Sequence, residues 1–151
     1  MPDCIFCKIA AREAQAFVIW EDDTHMAFLS RRPNTEGFSV VIPKQHQPSY
    51  IFAADDAVIT GIVHAAKQAA RQIDKAFDDV GRTGMIFEGF GVDHLHAKLF
   101  PMHNTKSDEW KQHVSHVDKY FDTYEGYISS HDYGEADQAK LEALAALIRA
   151  A

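Results

Sequence analysis

At 151 residues the chain is long enough to bury a substantial core within one domain. With 46% hydrophobic and 25% charged residues it has the composition of a soluble globular protein, and no apolar run approaches the ~20 residues of a membrane span. A formal net charge of −7 excludes a general nucleic-acid binder, which needs a basic face, but not a small phosphorylated ligand held by a local cluster of donors.

The N-terminus, MPDCIFCKIA, carries Asp3 and has no positive start followed by an apolar stretch. It does not read as a secretory signal, so a cytoplasmic location is expected. Cys4 and Cys7 are too few for a disulfide scaffold. Their Cys-x-x-Cys spacing suits half of a zinc site, a redox pair or two small buried thiols. A thioredoxin-like role is disfavoured, because the pair lies at the extreme N-terminus rather than after a strand.

FVIWEDDTHMAFLS (17–30) predicts two short strands around a polar turn at Glu21–Thr24. RRPNTEG (31–37) is turn-rich, and FSVVIPKQH (38–46) is a β-rich run ended by Pro43. From Asp55 the period changes: Val58, Ile62, Ala66, Ala69, Ile73 and Phe77 recur every three or four residues. That spacing predicts a long amphipathic helix with Asp55 or Asp56 at its N-cap. GRTG (81–84) breaks it, and GMIFEG (84–89) reads as a strand. HLHAKLF (94–100) alternates strictly, with His94, His96 and Lys98 on one face and Leu95, Ala97 and Leu99 on the other. The apolar face is expected to pack on the helix and the histidine face to point outward into a cleft. Beyond His103 the chain is aromatic-rich, with Trp110, Tyr120, Phe121, Tyr124, Tyr127 and Tyr133. Residues 135–150 predict a second amphipathic helix with Leu141, Leu144, Leu147 and Ile148 on one side. The expectation is an α+β fold: an antiparallel sheet of about five strands with a long central helix and a C-terminal helix.

His94 and His96 sit roughly 7 Å apart on one strand face, close enough to share a site. They could be a bland surface pair, metal ligands or a catalytic pair. The binuclear metallohydrolase pattern His-x-His-x-Asp-His fails, since Ala97, Lys98, Leu99 and Phe100 follow, and a cation at Lys98 would repel a catalytic metal. A neutral imidazole attacks phosphorus well and gives a labile phosphoramidate. A lysine on the same face can neutralise phosphate oxygens, which favours phosphoryl or nucleotidyl chemistry. His46 follows one strand and His94 starts another, so both could lie beside the cysteines. His25, His64, His113, His116 and His131 read as surface or satisfied residues, while His103 ends the strand that carries the pair. Arg31, Arg32 and Lys44 are secondary candidates for phosphate contact.

CIFCKIAAREAQAFVIWEDDTHMAFLS, then PNTEGFSVVIPKQH, then HLHAKLFP occur in the order found in the histidine triad (HIT) family of nucleotide hydrolases and transferases, which this chain resembles over roughly residues 4–101. The family pattern for the last segment is His-x-His-x-His. The resemblance implies a HIT-like domain over 1–103 and a C-terminal extension, 104–151, packed on it. It also implies a homodimer and a small-molecule nucleotide substrate, with no nucleic-acid polymer or membrane as partner. Carried over by position, His96 is the nucleophile that attacks a nucleotide α-phosphate, with Lys98 as phosphate neutraliser or leaving-group stabiliser. The substrate would be a dinucleoside polyphosphate, a nucleoside phosphoramidate or similar. The alternative is a non-catalytic nucleotide-binding module with a degenerate site. Members with an N-terminal Cys-x-x-Cys bind structural zinc, which here would be one Zn2+ per chain on Cys4, Cys7, His46 and His94. Three departures stand out. Lys98 replaces the third histidine, Glu88–Asp93 replace the Gly-Gln-Ser/Thr turn, and Ser30 replaces the ribose-binding acid.

Overall fold

The structure, a computed structural model, describes residues 3–126 and 134–151. Its element order is α1 (Ile5–Ala10), β1 (Phe17–Glu21), β2 (His25–Leu29), β3 (Ser39–Pro43), α2 (Asp56–Ala76), β4 (Thr83–Ile86), β5 (Ala97–Pro101) and α3 (Gln138–Ala150), with a short 3-10 turn at Ile51–Ala53. The strands form one antiparallel sheet in the order β1-β2-β3-β5-β4. The α+β architecture is as the sequence predicts.

Alternation along the strands sends two sets of side chains to opposite faces. Phe17, Ile19, Ala27, Leu29, Val41, Ala97 and Leu99 pack with Ile62, Ala66, Ala69 and Ile73 of α2 and with Leu141, Ala145 and Ile148 of α3. Met26, Phe28, Val40 and Ile42 form a second cluster on the other face with Ile9 and Phe6 of α1. β3 is therefore covered on both sides, and all five of its residues are buried. This explains why SVVIP reads as a continuous apolar run rather than an alternating one.

Several details differ from the sequence expectation. α1 has only six residues, too few for a periodic signal, and nothing in the pattern announced it. Asp55 is the N-cap of α2, but its side chain makes no cap hydrogen bond. β4 ends at Ile86 rather than Gly89. β5 begins at Ala97, so His94 and His96 precede the strand. They do not share one outward face: His94 is fully buried, and His96, though only 2% exposed, borders a cleft. In α3 the buried face is Leu141, Ala145 and Ile148, while Leu147 is exposed. Tyr127, His131 and Tyr133 lie outside the described residues.

Candidate functional site

α1 lies over the sheet face opposite α2, and it brings the N-terminal cysteines onto the two histidine segments. Cys4 is the N-cap of α1 and Cys7 lies within its first turn. His46 follows β3, and His94 precedes β5. Two bonds join these segments: the Leu95 amide donates to the Gln47 carbonyl at 2.8 Å, and the Ser49 amide to the Asp93 carboxylate at 3.0 Å. Between Ile86 and His94 the chain reverses through Gly89 and Gly91, whose φ values of 76° and 92° are conformations that favour glycine.

The ligand atoms of Cys4, Cys7, His46 and His94 all lie within 4.8 Å of one another. His94 Nδ1 is 3.4 Å from Cys4 Sγ and 3.5 Å from Cys7 Sγ, and His46 Nδ1 is 3.5 Å from Cys7 Sγ. A tetrahedral zinc with ordinary Zn–S and Zn–N bonds has S···N edges of about 3.5 Å. The spacings thus match the edges of a coordination tetrahedron. His94 Nε2 donates to the Pro43 carbonyl at 2.8 Å, which leaves the Nδ1 lone pair facing the thiols. Burial pushes the Cys7 thiol pKa up, and Cys4 beside it pushes the same way. A divalent cation would reverse that tendency by stabilising the thiolates. The donor set and its tautomer therefore fit Zn2+.

His96 faces a different way. Its Nδ1 donates to the His94 carbonyl at 2.7 Å, so in the neutral ring Nε2 carries the lone pair. Burial pushes its pKa below the usual imidazole value and the Lys98 charge adds to this, while the His94 carbonyl, the Glu88 charge and the Phe90 backbone oppose it. The ring is therefore uncharged at neutral pH. It borders a cleft of about 250 Å³ whose walls include Ile5, Phe6, Phe28 and Val40, with Gln15 and Ser30 among the polar groups. The Phe6 ring meets His96 edge-on at 5.4 Å and His94 at 5.8 Å. Both nitrogens of His94 are directed elsewhere, so the two histidines do not converge on a shared catalytic metal.

Lys98 also lines this cleft, but its ammonium is in an ion pair with Glu88, whose side chain is only 3% exposed. The Tyr124 hydroxyl lies 3.5 Å from the other Glu88 oxygen, and its ring stacks on Phe90 at 5.8 Å. Sequence reasoning did not single out Glu88. The available signal was the β4–β5 register: Ile86 pairs with Lys98, so an acid two residues beyond Ile86 falls beside that lysine.

The secondary candidates separate. Arg31 borders the cleft and pairs with Glu135 at 2.8 Å. Lys44 instead donates to the Asp22 carbonyl and lies 3.4 Å from the Glu21 carboxylate. His103 bonds Asp79 and the Glu36 carbonyl, a structural tie away from the cleft. His64, His113 and His116 are exposed.

Comparison with known proteins follows the same lines. The chain matches the HIT domain family over residues 11–116. "Protein hit" of Bacillus subtilis is 31% identical over 120 residues, covering 74% of this chain and 81% of its own length. An adenosine 5′-monophosphoramidase of Saccharomyces cerevisiae is 32% identical over 104 residues, covering 69% of this chain and 65% of its own length. The crystal structure of a zinc-bound histidine triad family protein from Mycobacterium smegmatis shares the fold, with a TM-score of 0.71 at 21% identity over 99% of this chain and 92% of that one.

Proposed function

The chain belongs to the HIT domain family, and from that premise we propose that it is a nucleotidyl hydrolase or transferase working through a nucleotidyl-histidine intermediate on His96. The observation that carries this is the His96 ring, which borders the cleft and is held by the His94 carbonyl at Nδ1, a tautomer that in the neutral ring puts the lone pair on Nε2. Nε2 attacks the α-phosphorus of a nucleotide, the bond to the leaving group breaks, and that group departs with a proton taken from solvent, to which the water of the second step returns one. Water or another acceptor then attacks the same phosphorus and frees the histidine. The apolar walls suit a nucleobase, and Lys98, held by Glu88, supplies a donor at the reacting phosphate. The adenosine 5′-monophosphoramidase relative supports this class of substrate.

Cys4, Cys7, His46 and His94 would hold one structural zinc, which supplies no chemistry to the reaction but ties α1 to the His94 segment. The zinc-bound Mycobacterium smegmatis protein supports that assignment. A homodimer in the cytoplasm completes the proposal. Among the described residues no helix is long and apolar enough to cross a membrane.

A second reading, a nucleotide-binding module without turnover, draws on Lys98 in place of the third histidine and on residues 88–93 in place of the Gly-Gln-Ser/Thr turn. Mass spectrometry of protein quenched during reaction with adenosine 5′-phosphoramidate separates the two. An AMP adduct on His96 is expected. Tight binding with neither adduct nor AMP release selects the binding module.

A further inference from the structure

Among the described residues, the fixed charges that border the nucleotide cleft belong to Arg31 and Lys98, and each already faces a carboxylate. These two pairs differ in kind. Arg31 and Glu135 form a rim pair with both side chains more than half exposed, so water and salt screen it. Lys98 and Glu88 are 13% and 3% exposed, so their charges cancel inside a poorly hydrated wall.

A multiply charged phosphate chain entering such a cleft gives up hydration on every charged oxygen. Among the described residues it finds no buried cation whose charge is uncompensated, so that desolvation is poorly repaid. A phosphate with one negative charge loses far less. It can be met by the remaining N–H donors of the Lys98 ammonium, which has three. The pairing also keeps the donor in place: the Glu88 carboxylate fixes the ammonium beside His96 without leaving a net charge there.

We infer that Glu88 is a specificity-determining residue, which by neutralising Lys98 makes this cleft favour nucleotides whose phosphate portion carries a single negative charge in all, such as phosphoramidates, over polyphosphates, whose chain carries several. The inference rests on reading the cleft as a nucleotide site, and it selects among the substrates that reading allows.

The test measures binding by calorimetry, without divalent cations and on a His96→Asn background that removes the nucleophile, for adenosine 5′-phosphoramidate, AMP, ADP and ATP. With Glu88 intact, affinity is expected to stay level or fall as phosphates are added. Tightening by about tenfold or more from the phosphoramidate to ATP overturns the inference. Glu88→Gln uncovers the Lys98 charge and is expected to raise ATP affinity relative to the phosphoramidate by about tenfold, with a steeper salt dependence. An unchanged ratio in folded Glu88→Gln protein overturns the inference. The rim substitution Glu135→Gln is expected to shift the ratio less than about threefold, because its pair is screened; a shift as large as that of Glu88→Gln overturns the assignment to Glu88. If Glu88→Gln fails to fold, the series with Glu88 intact alone decides. Binding is read without turnover, so an order opposite to expectation sinks the inference and leaves the nucleotide site standing. Absence of binding by all four sinks both.

Discussion

The backbone carbonyl of His94 accepts the Nδ1 proton of His96 at 2.7 Å, while the His94 ring turns its own Nδ1 to the sulfurs of Cys4 and Cys7. One residue thus joins the cysteine cluster through its side chain and orients the neighbouring imidazole through its main chain. Whatever fixes the His94 ring also fixes the carbonyl that sets the His96 tautomer.

Metal content is the direct check on the first half of that relationship. Purified protein should carry about one zinc per chain, and Cys4→Ser should lose it. Structural zinc sites contribute several kcal/mol to folding, so the melting temperature should fall on the order of 10 °C. A wild-type protein free of zinc, or a Cys4→Ser protein with unchanged melting, would count against the site.

His96→Asn keeps a polar side chain of similar reach but no nucleophilic imidazole. Turnover of adenosine 5′-phosphoramidate should drop at least about a thousandfold, with nucleotide affinity changed only several-fold. Retention of more than a tenth of wild-type turnover would remove His96 as the nucleophile.

Packing of the C-terminal helix gives a stability prediction. Leu141 is 5% exposed in the core shared by α2 and the sheet, so Leu141→Ala should cost about 2–5 kcal/mol in urea unfolding. Leu147 is 53% exposed, and Leu147→Ala should stay within about 0.5 kcal/mol. Equal effects would contradict this face of α3.

The His103–Asp79 contact predicts a pH dependence of stability. Burial works to lower the His103 pKa, but the Glu36 carbonyl and the Asp79 carboxylate outweigh it and raise it above the ordinary 6.5. Folding therefore favours the protonated ring, whose two nitrogens face Asp79 and the Glu36 carbonyl. The contribution is fully present below about 6.5 and is lost as pH rises through the folded value. On the carboxylate side, the Asn104 amide first and then His103 hold Asp79 below its usual range, so its share is lost as the solution becomes strongly acidic. Urea midpoints for wild type and His103→Gln should differ most near pH 6 and converge above about pH 8. A gap that widened with rising pH would reverse the assignment.

Much of this protein was legible in order along the chain. The hairpin at 17–30 announces itself by two apolar runs around Glu21–Thr24, and α2 by its three- and four-residue spacing, because both patterns record burial that is local in sequence. The residue types of a zinc site and of phosphorus chemistry were also visible, since Cys-x-x-Cys and His-x-His are short-range motifs.

What the chain alone left undecided depends on separations that carry no period. HLHAK alternates like a strand, yet the ladder with β3 begins only at Ala97, and the Leu95 amide bonds the Gln47 carbonyl instead. Whether His94 and His96 share one site or serve two depends on which groups stand opposite each ring. Those groups come from α1, from the segment after β3 and from the backbone itself. Lys98 makes the point most sharply: its residue type promised a free phosphate cation, but the β4–β5 register sets a buried carboxylate against it. Residue types therefore determined the available chemistry. The tertiary structure decided which charges remain uncompensated, because compensation requires a partner within a few ångströms and sequence distance does not report that.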